Sequence, residues 1–197
     1  MYQENFELLR RKISKFVDFQ PDEWEYFRGK FEERRYKKKE FIVSCGETEN
    51  YCTFLVDGLV RMYFEHEDRE ICLDFGFPGN IVCAFSSYLT RRPSQVCIQA
   101  LSPTSVLRIH HDYIHAAQNI SKNSERFGRM LIEQLYRKKL EKEVFMLSHT
   151  PEERYILLVQ HQPKLVQQIP VKDLASYLGI HPQSLSRIRK RMLYHAY

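Results

Sequence analysis

The stretch from Ile169 to Met192 constrains this chain more than any other, because it prescribes two short helices and the bend between them. Val171, Leu174, Ala175 and Leu178 recur at i, i+3, i+4 and i+7, which places them on one face of a helix about two turns long. Ala175 is small where a second helix would cross. Gly179 follows the last of them, and glycine reaches the left-handed conformation of a helix C-terminus without a Cβ clash. Ile180 is expected in the core beneath the turn. Pro182 suits a first helical position, since its φ is already helical and its missing N–H would be unpaired there anyway. The pattern predicts a helix-turn-helix.

The second helix divides cleanly into two faces. At about 100° per residue, Leu185, Ile188 and Met192 fall on one side and Gln183, Arg187 and Lys190 on the other. Arginine bonds guanine O6 and N7, glutamine bonds adenine N6 and N7, and each such pair discriminates by about 1–3 kcal/mol. Gln183, Arg187 and Lys190 are therefore the expected base readers of double-stranded DNA. Ser184, Ser186, Arg189 and Arg191 flank them and suit phosphate oxygens, which position a protein without reading sequence. Any one of these features fits an ordinary helical hairpin with a solvated basic face. Their concurrence, with cations on the outer face of the second helix only, favours DNA.

Composition sets wide bounds on this reading. A net charge of +5 and a pI near 8.9 permit a nucleic-acid partner without demanding one. The basic excess is local, with four cations and no acid from Ser184 to Met192. The N-terminus, Met1 to Asn5, lacks the cationic start and apolar run of a signal peptide, and no apolar stretch approaches the ~20 residues that cross a bilayer. The expectation is a cytoplasmic protein with no membrane partner. Cys45, Cys52, Cys72, Cys83 and Cys97 form an odd, irregularly spaced set, which fits reduced, mostly buried thiols better than a disulfide framework.

Taken in order, Phe6 to Phe19 reads as a helix carrying Phe6, Leu9, Ile13, Phe16 and Val17, and Gln20-Pro21-Asp22-Glu23 as the entry to a second with Trp24 and Phe27. The run Arg34-Arg35-Tyr36-Lys37-Lys38-Lys39 reads as an edge strand kept from aggregating by its charges. From Phe41 the pattern becomes short β-rich runs: Phe41 to Ser44, Tyr51 to Val56, Leu59 to Phe64, Glu70 to Phe75, Ile81 to Ala84, Val96 to Ala100 and Thr104 to Ile109. Asp57-Gly58 and Pro78-Gly79-Asn80 are expected hairpin turns. Together these runs predict a jelly-roll-like double sheet.

Ser121 to Leu147 reads as one long helix with two apolar stripes. Phe127, Leu131 and Leu135, with Met130 beside them, form one; Ile132, Tyr136, Leu140 and Val144 form the other, roughly opposite. A helix apolar on two sides must be covered on two sides, by its own β domain and by the same helix of a second subunit. Phe127, Met130, Leu131 and Leu135 are the expected dimer residues. Thr150-Pro151-Glu152-Glu153 reads as the cap and first turn of a further helix that braces the terminal unit. The class is α+β, with 1–120 as a β-roll sensor domain, 121–148 as a dimerisation helix and 149–197 as the helix-turn-helix domain.

This order of elements resembles the Crp/Fnr family of bacterial transcription regulators over nearly the whole chain. The resemblance rests on Phe54-Leu55-Val56-Asp57-Gly58-Leu59-Val60-Arg61, Phe77-Pro78-Gly79-Asn80 and the stretch from Leu174 to Arg191. It implies a homodimer with a double-stranded β-helix of the cyclic-nucleotide-binding type, an effector held beside the long helix, and DNA and RNA polymerase as partners. Two departures stand out. Cyclic-nucleotide-binding members carry a Gly-Glu pair and an Arg-Ser or Arg-Thr pair where this chain has Cys83-Ala84 and Ser94-Gln95. An arginine missing opposite a phosphate removes a charge-assisted bond of about 1.5–3 kcal/mol, so the effector expected in this degenerate pocket is not cyclic AMP and stays unidentified. Tyr194-His195-Ala196-Tyr197 follows the second helix where relatives continue into a wing hairpin, so the wing is expected to be reduced or absent.

No iron-sulfur cysteine pattern precedes Cys45, and the spacings of His66, His110, His111 and His115 with the cysteines match no standard zinc site, so neither a metal nor a cofactor is expected. No nucleophile elbow, P-loop, dinucleotide fingerprint or HExxH motif points to catalysis. The competing expectation is a ligand-sensing or protein-docking β-roll whose C-terminal hairpin merely packs.

Overall fold

The structure, a computed structural model, describes residues 2–194, apart from the side chains of 120, 164, 165, 193 and 194. The expected wing position at 195–197 lies outside the described residues. Two helices open the chain, α1 (Tyr2–Ile13) and α2 (Pro21–Arg28). Pro21 begins α2, and the Glu23 carboxylate accepts from the Gln20 amide at 2.8 Å, closing its first turn.

Among the described residues eight strands follow: β1 (Phe31–Tyr36), β2 (Phe41–Val43), β3 (Tyr51–Asp57), β4 (Val60–His66), β5 (Arg69–Gly76), β6 (Ile81–Val82), β7 (Cys97–Ala100) and β8 (Thr104–His110). They form two four-stranded antiparallel sheets, in the orders β1-β8-β3-β6 and β2-β7-β4-β5. The basic run lies partly on β1, an edge strand, and continues into the following turn. Val43, Leu55, Val60, Ile98 and Val106 fill the space between the sheets.

Two turns do something other than expected. Asp57-Gly58 joins β3 to β4, which lie in different sheets, so it is a corner and not a hairpin. Gly58 holds φ 97° there, and a Cβ would stand 2.6 Å from the Pro103 carbonyl, so only glycine fits. Pro78-Gly79-Asn80 likewise carries the chain from β5 in one sheet to β6 in the other. The hairpin lies between β4 and β5, where Glu67 and Asp68 both have positive φ, 48° and 58°. That is the twist a two-residue hairpin needs, supplied without Asn or Gly.

The first sheet is apolar on its outer face as well. Phe54 and Leu107 point outward and are roofed by Phe6, Leu9, Ile13, Phe19 and Trp24 of the N-terminal segment. Two helices that the strand pattern obscured complete this layer: α3 (Phe85–Thr90), after β6, and α4 (His111–Ile120), after β8. The long helix α5 (Lys122–Ser148) follows, capped by Ser121, whose hydroxyl accepts from the Ser124 amide at 3.1 Å. Then come α6 (Pro151–His161), α7 (Pro163–Gln168), α8 (Val171–Tyr177) and α9 (Pro182–Tyr194). Thr150 and Glu153 form the expected capping box of α6.

The cysteines correct one expectation. Cys45 and Cys97 are disulfide-bonded, while Cys52, Cys72 and Cys83 are free. Adjacent strands β2 and β7 bring the two Cα atoms within 4.8 Å, a proximity that irregular sequence spacing conceals.

Candidate nucleic-acid interface and effector cleft

The helix-turn-helix is built as its residues prescribe. Gly179 has φ 73°, its amide bonds the Ser176 carbonyl and the Ile180 amide bonds the Ala175 carbonyl, both at 3.0 Å. This paired closure of a helix end needs a left-handed residue at the glycine. Leu174, Ala175, Leu178, Leu185 and Ile188 are buried together with Tyr155 of α6 and Val166 of α7. Val171 departs from its expected place: it is 38% exposed, and Asp173 is buried instead.

Gln183, Arg187 and Lys190 all lie on the exposed face of α9, opposite Leu185 and Ile188. The flanking residues are more engaged. Ser184 is half-buried, and Ser186 Oγ donates to the Pro182 carbonyl at 3.0 Å. Arg189 reaches the Tyr155 hydroxyl at 3.1 Å, with its guanidinium over that ring, and Arg191 pairs with Glu152 at 2.7 Å. These two arginines tie α9 to α6 as well as flanking the basic face.

Sequence reasoning missed how this unit is held against the β-roll. β5 is a sheet edge, and α8 covers it: Ser176 Oγ accepts from the Cys72 amide at 2.9 Å and donates to the Glu70 carbonyl at 3.1 Å. Beside it, Arg61 of β4 bonds Asp173 at 2.6 Å and Glu70 at 3.0 Å, and Gln99 also accepts from its guanidinium. Hydrogen bonds from Arg61 hold the Glu70 carboxyl down at about 2, against desolvation, and Lys172 adds to the effect. Lys142 of α5 donates to the Leu73 carbonyl and lies over the Tyr177 ring, and burial lowers its pKa. Arg154 of α6 binds the carbonyls of His149 and Leu178, at 2.9 and 2.8 Å, and that of Met146. Periodicity gave no signal for this network, because it places Val171 and not Asp173 on the buried face of α8.

Cys83, Ala84, Ser94 and Gln95 all line an open cleft of about 2630 Å³ between the β-roll and the later helices, which Leu131 and Leu135 line from α5. Two of these residues are engaged by the chain's own groups. Buried Glu49 accepts from the Ala84 amide at 3.2 Å and the Tyr51 amide at 2.9 Å, and burial raises its pKa. Ser94 Oγ donates to the Val96 carbonyl at 2.7 Å. Of the two nearby arginines that could stand in for the missing phosphate partner, Arg91 binds the Glu49 carbonyl at 2.7 Å and the Asn50 side chain, whereas Arg92 lines the cleft. Among the described residues no group of three or more His, Cys, Asp or Glu is placed to hold a metal ion, and no helix is long and apolar enough to cross a membrane.

The expected dimer stripe is partly covered within its own chain. Phe127 packs on Phe16 and Phe19 of its own chain, Leu131 and Leu135 face the cleft, and Met130 is half-buried. The opposite stripe is more exposed, with Ile132 at 40%, Tyr136 at 69%, Leu140 at 48% and Val144 at 55%, and its Ile132 and Tyr136 also line the cleft. Both stripes were legible, but which of them the β domain covers depends on where the N-terminal helices dock.

Residues 33–119 match the family model described as the cyclic nucleotide-binding domain. No curated protein sequence matches the chain. Among solved structures, it is similar to FixK2 from Bradyrhizobium japonicum, with TM-score 0.73 and 20% identity over 84% of this chain and 86% of that one. The c-di-GMP responsive global regulator CLP from Xanthomonas campestris gives 0.70 and 15%, over 90% and 93%. A crp/fnr-family transcriptional regulator from Eubacterium rectale gives 0.73 and 15%, over 90% and 85%. Residues 33–119 thus match the cyclic nucleotide-binding domain model, within a chain whose fold is similar to that of these regulators.

Proposed function

We propose that this protein is a sequence-specific, DNA-binding transcription regulator that acts as a homodimer. The observation that carries the reading is the exposure of Gln183, Arg187 and Lys190 together on one face of a helix whose other face is anchored by Leu185 and Ile188. Two such helices related by a two-fold axis read half-sites about one helical turn apart, ~34 Å. The more exposed stripe Ile132, Tyr136, Leu140 and Val144 is the surface on which the second copy packs. This replaces the assignment of Phe127, Met130, Leu131 and Leu135 to that role.

The effector is a molecule other than cyclic AMP. Its cassette has Cys83-Ala84 and Ser94-Gln95 where cyclic-nucleotide-binding members carry Gly-Glu and Arg-Ser or Arg-Thr, and the amide of Ala84 is already taken by Glu49. Selection from random duplexes with the purified protein should enrich an inverted repeat. Calorimetry with cyclic AMP should show no saturable heat. If no repeat is enriched at moderate salt, the regulator reading fails, and tight cyclic AMP binding would overturn the argument from Ala84 and Ser94.

A further inference from the structure

A second, smaller cavity lies on the outside of the β-roll and adjoins the cassette cleft at Ile81, Phe85 and Leu131. It has a volume of about 250 Å³ and sits between the outer face of the first sheet, the N-terminal helices, α3, α4 and the start of α5. Cys52 and Phe54 form part of its floor, Leu9 and Trp24 part of its roof, and Ile114 and Phe127 close its sides. Into this mostly apolar space faces Ser124, only 5% exposed, whose hydroxyl has no hydrogen-bond partner among the described residues. A buried hydroxyl left unpaired is costly, so a group that pairs with it is selected.

From this geometry we infer a binding site for a small, neutral, apolar molecule carrying one hydrogen-bonding group, which pairs with Ser124 Oγ. The lining also includes His111, His115, Gln118 and Arg129, but most of its surface is apolar, which favours a neutral ligand over an ion. Size follows by proportion. An apolar cavity of ~150 Å³ accommodates benzene, so this one takes roughly ten non-hydrogen atoms, the size of a fused bicyclic ring. Binding here requires neither DNA nor a second subunit, so its failure and the failure of the regulator reading are separate results.

The test uses the full chain, calorimetry and a matched pair of probes, 2-naphthol and naphthalene, which differ by one hydroxyl. 2-Naphthol should bind at one site per chain, roughly three- to tenfold more tightly than naphthalene. Ser124→Ala should erase that preference while leaving naphthalene affinity unchanged, and Ile114→Trp, which fills the cavity from α4, should abolish both. Trp24 is the only tryptophan and lines the cavity, so bound probe should also perturb its emission. That readout locates the probe even if Ile114→Trp does not fold. Absence of saturable 2-naphthol binding overturns the proposal. So do equal affinities for the two probes, an unchanged Trp24 emission on binding, or undiminished binding to a folded Ile114→Trp protein.

Discussion

Arg187 and Arg191 lie one turn apart on α9 and differ in what already holds them. Arg187 is exposed on the outer face, whereas Arg191 is paired with Glu152 of α6 at 2.7 Å. If Arg187 reads a guanine, Arg187→Ala should flatten preference at one base pair per half-site by about 1–3 kcal/mol, measured by competition between operator variants. Glu152→Gln should act differently. By releasing Arg191 toward phosphate it should steepen the salt dependence of binding by about one unit of slope, with base preference unchanged. The identity of these side chains was readable directly, because a helical period assigns each to a face. The partners of Arg189 and Arg191 were not, since Tyr155 and Glu152 come from a helix more than thirty residues earlier in the chain, 34 before Arg189 and 39 before Arg191.

At the scale of single elements, α5 and the α8–α9 turn respond to local substitution in opposite ways. Gly179→Ala introduces a Cβ whose nearest neighbour is 3.5 Å away, so there is room, but φ is 73°. The cost should therefore be conformational only, about 1–2 kcal/mol, seen as a lowered melting temperature with native spectra. On α5 the substitution Leu140→Glu places a charge on an already exposed position, 48% accessible in the isolated chain. It should leave the subunit's fold intact and shift sedimentation from dimer toward monomer; unchanged dimerisation would remove this stripe from the seam. The length of α5 and its two stripes were legible from periodicity. The choice between them was not, because both stripes are equally apolar in sequence and only the docked Phe16 and Phe19 distinguish them.

For the whole molecule, the contact between the β-roll and the C-terminal helices centres on Arg61, Glu70 and Asp173. Arg61→Ala would leave Asp173 buried without its cation and should cost about 3–5 kcal/mol in urea denaturation. Asp173→Asn should cost less, because the guanidinium keeps Glu70 and Gln99. The acid limb of stability follows from Glu70. Its folded pKa is held at about 2, below the ordinary 4.5, so its contribution is complete above pH 4.5 and is lost as pH falls toward 2. Glu70→Gln should remove that component of the acid transition, as measured by pH-dependent unfolding.

The sequence by itself determined what depends on near neighbours along the chain: the terminal helix pair with its glycine turn, the capping box at Thr150, the long helix, and β-runs close to where the strands lie. Periods of two and 3.6 residues and the backbone freedom of glycine are local properties, so they can be read from the residues alone. Tertiary structure decided whatever depends on meeting a distant segment. It sent β3 and β4 to opposite sheets at Asp57-Gly58, joined Cys45 to Cys97, and seated Asp173 on Arg61 across 112 residues. It also left one stripe of α5 more exposed and closed a small apolar cavity around Ser124. The physical reason is common to all of these: a side chain's environment is set by which surface packs against it, and that surface is contributed by residues far away in the chain.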